Sequence, residues 1–282
     1  MGDRLMKVGV WFYGLGTVLT GILNIAWGDF DASHQPIQAL GKNFPGQHLL
    51  AYVAGVWLIA AGLAILWRRS ARIGAAASGI AYLIFAALWL IRYSAAVQAF
   101  GLRIDVLFGV TFGVAQQIML IAPAAIVFYA SAASPDSLLQ ERAVIAARWM
   151  LGLPPVIFGL FHLIGIRVFA TIVPHWMGFG SFWAALTGIA FILAGVAICS
   201  GIRDVLAARL LALMLLLFEG FVEVPPIFSR LHDERTWGAA VYNVTAIGAC
   251  WIFAEFLASS ADRRRIGPAE NVAMSRPDPV VA

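Results

Sequence analysis

Eight apolar runs, each near 20 residues long and almost free of charge, limit what this chain can fold into. A run of that length crosses the hydrocarbon core of a bilayer as a helix, because lipid leaves backbone N–H and C=O groups no partner but each other. The runs cover residues 8–27, 48–67, 73–94, 105–130, a fifth entered from Arg148, 181–199, 206–224 and 238–258. Hydrophobic residues make up 61% of the 282 and charged residues 12%. A soluble domain carries roughly a quarter charged, so this chain lacks the charge to cover a water-facing surface. The expected fold is an all-α polytopic membrane protein with eight transmembrane helices.

The formal charge of +4 does not point to nucleic acid, because the basic residues sit in short clusters between apolar runs. Those clusters set an orientation instead. With the N-terminus cytoplasmic, thirteen Lys and Arg fall on that side and six on the other, which places both termini inside. The first run is too long for a signal-peptide core and lacks a small-residue cleavage pattern, so it is expected to stay as the first crossing. Cys199 and Cys250 each lie alone in an apolar run, without metal-ligand spacing.

The two halves align. GLGTVLTGILN from Gly14 matches GLPPVIFGLFH from Gly152, and AGVWLIAAGLAIL from Ala54 matches TGIAFILAGVAIC from Thr187. Gly55 thereby falls on Gly188 and Gly62 on Gly195. Four crossings per half make these parallel repeats, entered from the same side. The expected division is a first four-helix repeat over 1–130, a cytoplasmic linker with a short surface helix over 131–148, a second repeat over 149–258 and a disordered tail over 259–282. Within the linker, Ser134, Pro135 and Asp136 read as a helix start. Pro154-Pro155 either kinks the fifth crossing or marks its start.

The stretch 173–198, VPHWMGFGSFWAALTGIAFILAGVAI, resembles the DoxX-like family of small bacterial membrane proteins. The first half, with WGDF at Trp27 to Phe30 and AGVWLIAAGLAILWRR beyond it, is similar to a diverged copy of the same unit. The resemblance implies two fused four-helix bundles in the bacterial cytoplasmic membrane. It also implies an accessory subunit beside redox protein partners, with quinone as the candidate lipophilic ligand. Members of the family often carry a glutamate in the second helix of the unit. This chain has Trp57 and Ala190 near that position.

Ionisable side chains at membrane depth cost about 2.5–3.5 kcal/mol on insertion scales and mark function by default. Glu219 and Glu223 lie one helical turn apart, about 15 and 21 Å in from Arg209 at 1.5 Å per residue. His162 lies about 21 Å in from Arg148 on the same rule, so His162 and Glu223 share a depth and can pair across helices. Two carboxylates this close repel as anions, so at least one is expected to hold a proton. The functional reading is a proton-handling or ligand site in the second half; the plain alternative is a structural hydrogen-bond network. Asn24, at the repeat position of His162, and Gln116 and Gln117 form a neutral counterpart or an interhelical network. His34, His175 and Trp176 sit in outer loops, as ligand contacts or as interfacial anchors. Glu255 is expected to snorkel to the interface, and Arg92, Arg103 and Asp105 to form a solvated ion-pair group.

No phosphate-binding loop, HExxH or paired-cysteine motif occurs, so no catalytic residue is assigned and the chain is not expected to be an enzyme on its own. The expected partners are the lipid bilayer and, as the family resemblance implies, redox proteins, with no nucleic acid and no metal. A proton-coupled small-solute transporter and a ligand-free scaffold stay open beside the lipophile-binding subunit.

Overall fold

The computed structural model describes the backbone of residues 2–30, 46–131 and 137–274, with side chains over 8–30, 46–131 and 142–260. His34 and the helix start at Ser134–Asp136 lie outside the described residues. The elements are α1 (Gly2–Trp27), α2 (Gln47–Leu66), α3 (Ala71–Phe100), α4 (Ile104–Ala130), α5 (Ser137–Ile164), α6 (Ile166–Ile172), a 3₁₀ turn (His175–Met177), α7 (Gly180–Ser200), α8 (Asp204–Phe218), a π turn (Glu219–Glu223), α9 (Val224–Ser229) and α10 (Glu234–Met274). No strand occurs among the described residues. Eight spans are long and apolar enough to cross a membrane: α1 to α5, α7, α8 continued through α9, and α10. The chain is an all-α polytopic membrane protein.

The crossings pack as a closed ring in the order α1, α2, α3, α4, α5, α7, α8, α10, with α10 returning to α1 and touching α4 across the middle. One continuous core runs from Tyr13 to Leu257. The apolar window of α10 is 89% buried and those of α7 and α8 only 28%, so α10 is a central helix and α7 and α8 face lipid. We call the end of the bundle where α1 begins the near end and the opposite one the far end.

Glycine faces set the closest approaches, as lipid demands when packing rather than water expulsion holds helices together. A Cβ at Gly62 would lie 2.6 Å from the Gly14 carbonyl oxygen and 2.7 Å from Val18 Cγ2. A Cβ at Gly195 would lie 2.5 Å from the Gly152 carbonyl oxygen and 2.6 Å from Val156 Cγ2. One heptad on, Gly21 closes on the Gly55 carbonyl and Ile59, and Gly159 on the Gly188 carbonyl and Ile192. The α1–α2 and α5–α7 crossings therefore make the same contacts at aligned residues. A second face of α1 meets α10, where Gly9 lies against the Ile252 backbone and Gly16 against Thr245.

Tyr13 ties three helices. Its hydroxyl donates to the Leu120 carbonyl of α4 at 2.9 Å and lies 3.3 Å from Ser78 Oγ of α3. The residue is fully buried, so Tyr13→Phe leaves partners without replacement and is expected to cost about 1–2 kcal/mol. Unfolding in mild detergent, compared with exposed Tyr52→Phe, measures it.

Several details depart from the sequence expectations. α5 runs unbroken from Ser137 through Pro154 and Pro155, so the surface helix and the fifth crossing are one helix. The prolines forfeit N–H bonds to the Met150 and Leu151 carbonyls, and packing against α4 and α7 holds the helix through that loss. α10 continues past residue 258 to Met274. Glu255 does not snorkel; it is 2% exposed and accepts from Arg209 Nη2 at 2.8 Å. Arg103 and Asp105 form an exposed ion pair, whereas Arg92 is buried with its guanidinium 4.1 Å from the Trp89 ring centre.

Candidate functional site

The site is built where α8 loses its regular pitch. Pro225 and Pro226 carry no N–H, so the Phe221 and Val222 carbonyls cannot receive their ordinary helical bonds. The chain widens into the π turn over Glu219–Glu223, in which the Val224 N–H reaches back five residues to the Glu219 carbonyl. Single π turns recur at functional sites because they re-aim side chains inside a helix. Here Glu219 accepts a hydrogen bond from Asn243 Nδ2 of α10 at 3.2 Å, while Glu223 lies on the wall of a cavity. Asn243 Nδ2 also donates to the Leu215 carbonyl at 2.8 Å, which pins α10 to α8 just before the turn.

That cavity has a volume of about 540 Å³ and lies in the far half of the bundle, between α4 of the first half-chain and α5, α7, α8 and α10 of the second. α6, Val173, Pro174 and Met177 cover its far end. The wall is mostly apolar, and Phe112, Phe158, Phe191 and Phe218 form an aromatic run along it, each linked to a neighbour within 6.0 Å between ring centres. The polar groups are few: His162, Glu223, Asn243, Gln116, Thr187 and Tyr242. A mostly apolar concavity of this size with a handful of converging polar groups is the usual form of a small-molecule site.

The His162 ring stacks on Phe169 of α6, with ring centres 3.8 Å apart and planes 19° apart. Its Nδ1 lies 2.8 Å from the Phe158 carbonyl oxygen. A carbonyl only accepts, so Nδ1 carries the proton in the neutral ring and Nε2 remains an acceptor. No hydrogen bond or ion pair joins His162 to Glu223; they share the cavity rather than pair with each other. The structure thus brings together His162, Glu223 and Gln116, with Glu219 one bond behind through Asn243.

The other sequence candidates lie apart. Asn24 is buried in the first half, its Cβ 3.4 Å from where a Cβ at Gly55 would stand; His162 Cβ is 3.0 Å from the matching point at Gly188. Gln117 is fully buried on α4 but off the cavity wall. His175 and Trp176 are exposed, and Trp176 sets its ring edge against Phe221, 5.8 Å between centres. Sequence reasoning missed Asn243, the covering role of α6 and the π turn. The Pro225-Pro226 pair was the available signal for the last of these.

Leu217, Phe221 and Ile172 line the cavity yet keep about half their surface exposed, so its mouth opens sideways toward lipid. Among the described residues no three His, Cys, Asp or Glu side chains converge. No family model, curated protein or solved structure matches this chain.

Proposed function

We propose that the protein holds a lipophilic molecule with a planar, hydrogen-bonding head in the cavity between α4, α5, α7, α8 and α10. The observation that carries this reading is the meeting of His162 and Glu223 on a mostly apolar wall whose mouth faces the bilayer. An apolar body enters such a site from lipid without crossing water, and the few polar groups fix its head. Quinone has the required shape and polarity.

The matched glycine contacts support two fused copies of one four-helix unit, and the resemblance of the motif at 173–198 supports a DoxX-like unit. On that reading the chain is an accessory subunit of a redox assembly in a bacterial cytoplasmic membrane. The Lys and Arg distribution supports a cytoplasmic position for both termini, and so for the near end.

Gently purified protein is expected to release a quinone or similar lipophile into organic solvent. Glu223→Gln and His162→Ala are each expected to lower the yield about fivefold to tenfold, the loss of one buried hydrogen bond to the head. Equal yield from all three proteins overturns the assignment.

A proton-coupled transporter is the second reading, favoured by the break in α8 at Glu219–Glu223. It requires solute flux that follows a proton gradient in proteoliposomes and stops in Glu219→Gln.

A further inference from the structure

A second void, about 390 Å³, runs along the lipid side of the α7–α8 seam from Met214 to Arg203 near the near end. Four alanines, Ala190, Ala194, Ala197 and Ala207, line it together with buried Leu211, and Leu193, Leu206 and Leu210 stand about half exposed or more along its sides. Apart from Arg203 at its end, every lining residue is apolar. Met214 belongs to both walls: it lines this groove and also the cavity that holds His162 and Glu223.

We infer that the cavity and the groove form one binding site, which takes a head group at His162 and Glu223 and a single long apolar chain along the α7–α8 groove. The inference rests on the lipophile-binding reading and adds the class of ligand: an amphiphile with one extended tail. Met214 lies eleven helical steps beyond Arg203, so the groove offers about 16 Å of contact to that tail. Alanines keep the seam open enough to receive a chain, where leucines at the same positions would fill it. Leaving bilayer hydrocarbon for this groove exchanges one apolar setting for another, so the tail gains packing and direction rather than water expulsion. The groove therefore selects for chain length and positions the head, and the polar groups hold it.

The test uses the full chain in phosphatidylcholine nanodiscs and a hexadecyl 4-hydroxybenzoate ester carrying a photoreactive diazirine at the chain end. Its phenol can donate to His162 Nε2. Labelling is expected on the groove segments of residues 190–197 and 203–214, displaced by excess unlabelled butyl ester, which occupies the head site alone. Ala194→Leu is expected to cut groove labelling about tenfold while changing competition by the butyl ester less than twofold.

Label spread over other lipid-facing surfaces while the butyl ester still binds, in a manner sensitive to Glu223→Gln, overturns the groove and leaves the cavity reading standing. Groove label that excess butyl ester does not displace identifies an ordinary bilayer chain and also overturns the inference. Failure of both esters to bind overturns the cavity reading with it. Where Ala194→Leu does not fold, labelling and displacement in the unaltered protein decide the matter.

Discussion

Gly159→Ala is expected to destabilise the protein by about 2–3 kcal/mol, and Gly159→Leu to yield no folded protein, because overpacking at this crossing has nowhere to relax. A Cβ at Gly159 falls on the Gly188 carbonyl oxygen and within 2.6 Å of Ile192 Cγ1. The first obstacle is backbone, so no rotamer change removes it and α5 must separate from α7. Gly21→Ala should cost about as much, since Gly21 meets the Gly55 carbonyl and Ile59 in the same way. Gly109 and Gly220 provide the contrast, because nothing stands within 4 Å of a Cβ at either. Alanine there is expected to be neutral or to stabilise by up to about 1 kcal/mol, by restricting the unfolded chain. Reversible unfolding in mixed micelles separates the groups. Equal stability of Gly159→Ala and Gly109→Ala would show that the α5–α7 crossing is looser than these contacts require.

These same glycines explain how much of the fold is legible in the sequence. Gly14, Gly21, Gly55 and Gly62 recur at the aligned positions of the second half, and a spacing of seven on one face reads directly as a close helix crossing. Apolar runs between charged clusters give the eight spans for the same reason, since bilayer thickness leaves little freedom in length. The closing of the ring is harder to read. Gly9 and Gly16 are also seven apart, but on a different face of α1, and their partners lie more than 200 residues away on α10. Spacing identifies a close face; it does not identify the helix that fills it.

The site was legible in its depth and not in its directions. Counting 1.5 Å per residue puts His162 and Glu223 at one level, and both lie on the wall of one cavity. The same count treats α8 as a regular helix and gives Glu219 and Glu223 a common environment. The π turn separates them, sending Glu219 to Asn243 and leaving Glu223 on the cavity wall. Regular periodicity also cannot show that α6 folds back over the cavity and stacks Phe169 on His162, because seven residues are too few to carry a pattern. Arg92 and Glu255 show a related gap. A charge near the end of an apolar run suggests the interface, whereas its facing decides whether it reaches water, and both of these face inward.

Glu255 supplies the other large expected effect. Its carboxylate is 2% exposed and accepts a hydrogen bond from Arg209 Nη2 at 2.8 Å, whereas the Arg209 side chain is 44% exposed. The two partners are therefore not equivalent. Removing Arg209 strands a charge inside the bundle, and Arg209→Met is expected to cost about 3 kcal/mol, at the low end of the range for broken buried pairs because water still reaches that edge. Removing Glu255 strands nothing buried, since Arg209 can turn outward, and Glu255→Leu is expected to cost less than about 1 kcal/mol. The double change Arg209→Met with Glu255→Leu should recover most of the loss, because an apolar pair of similar volume needs no desolvated charge. Arg103→Ala breaks the exposed pair with Asp105 and is expected to change stability by less than about 0.5 kcal/mol. A double-mutant cycle on unfolding free energies measures all of these together. If the double variant is as unstable as Arg209→Met alone, the loss arises from the packing of the arginine stem on α8 rather than from the stranded carboxylate, and the charge account of the α8–α10 seam is wrong.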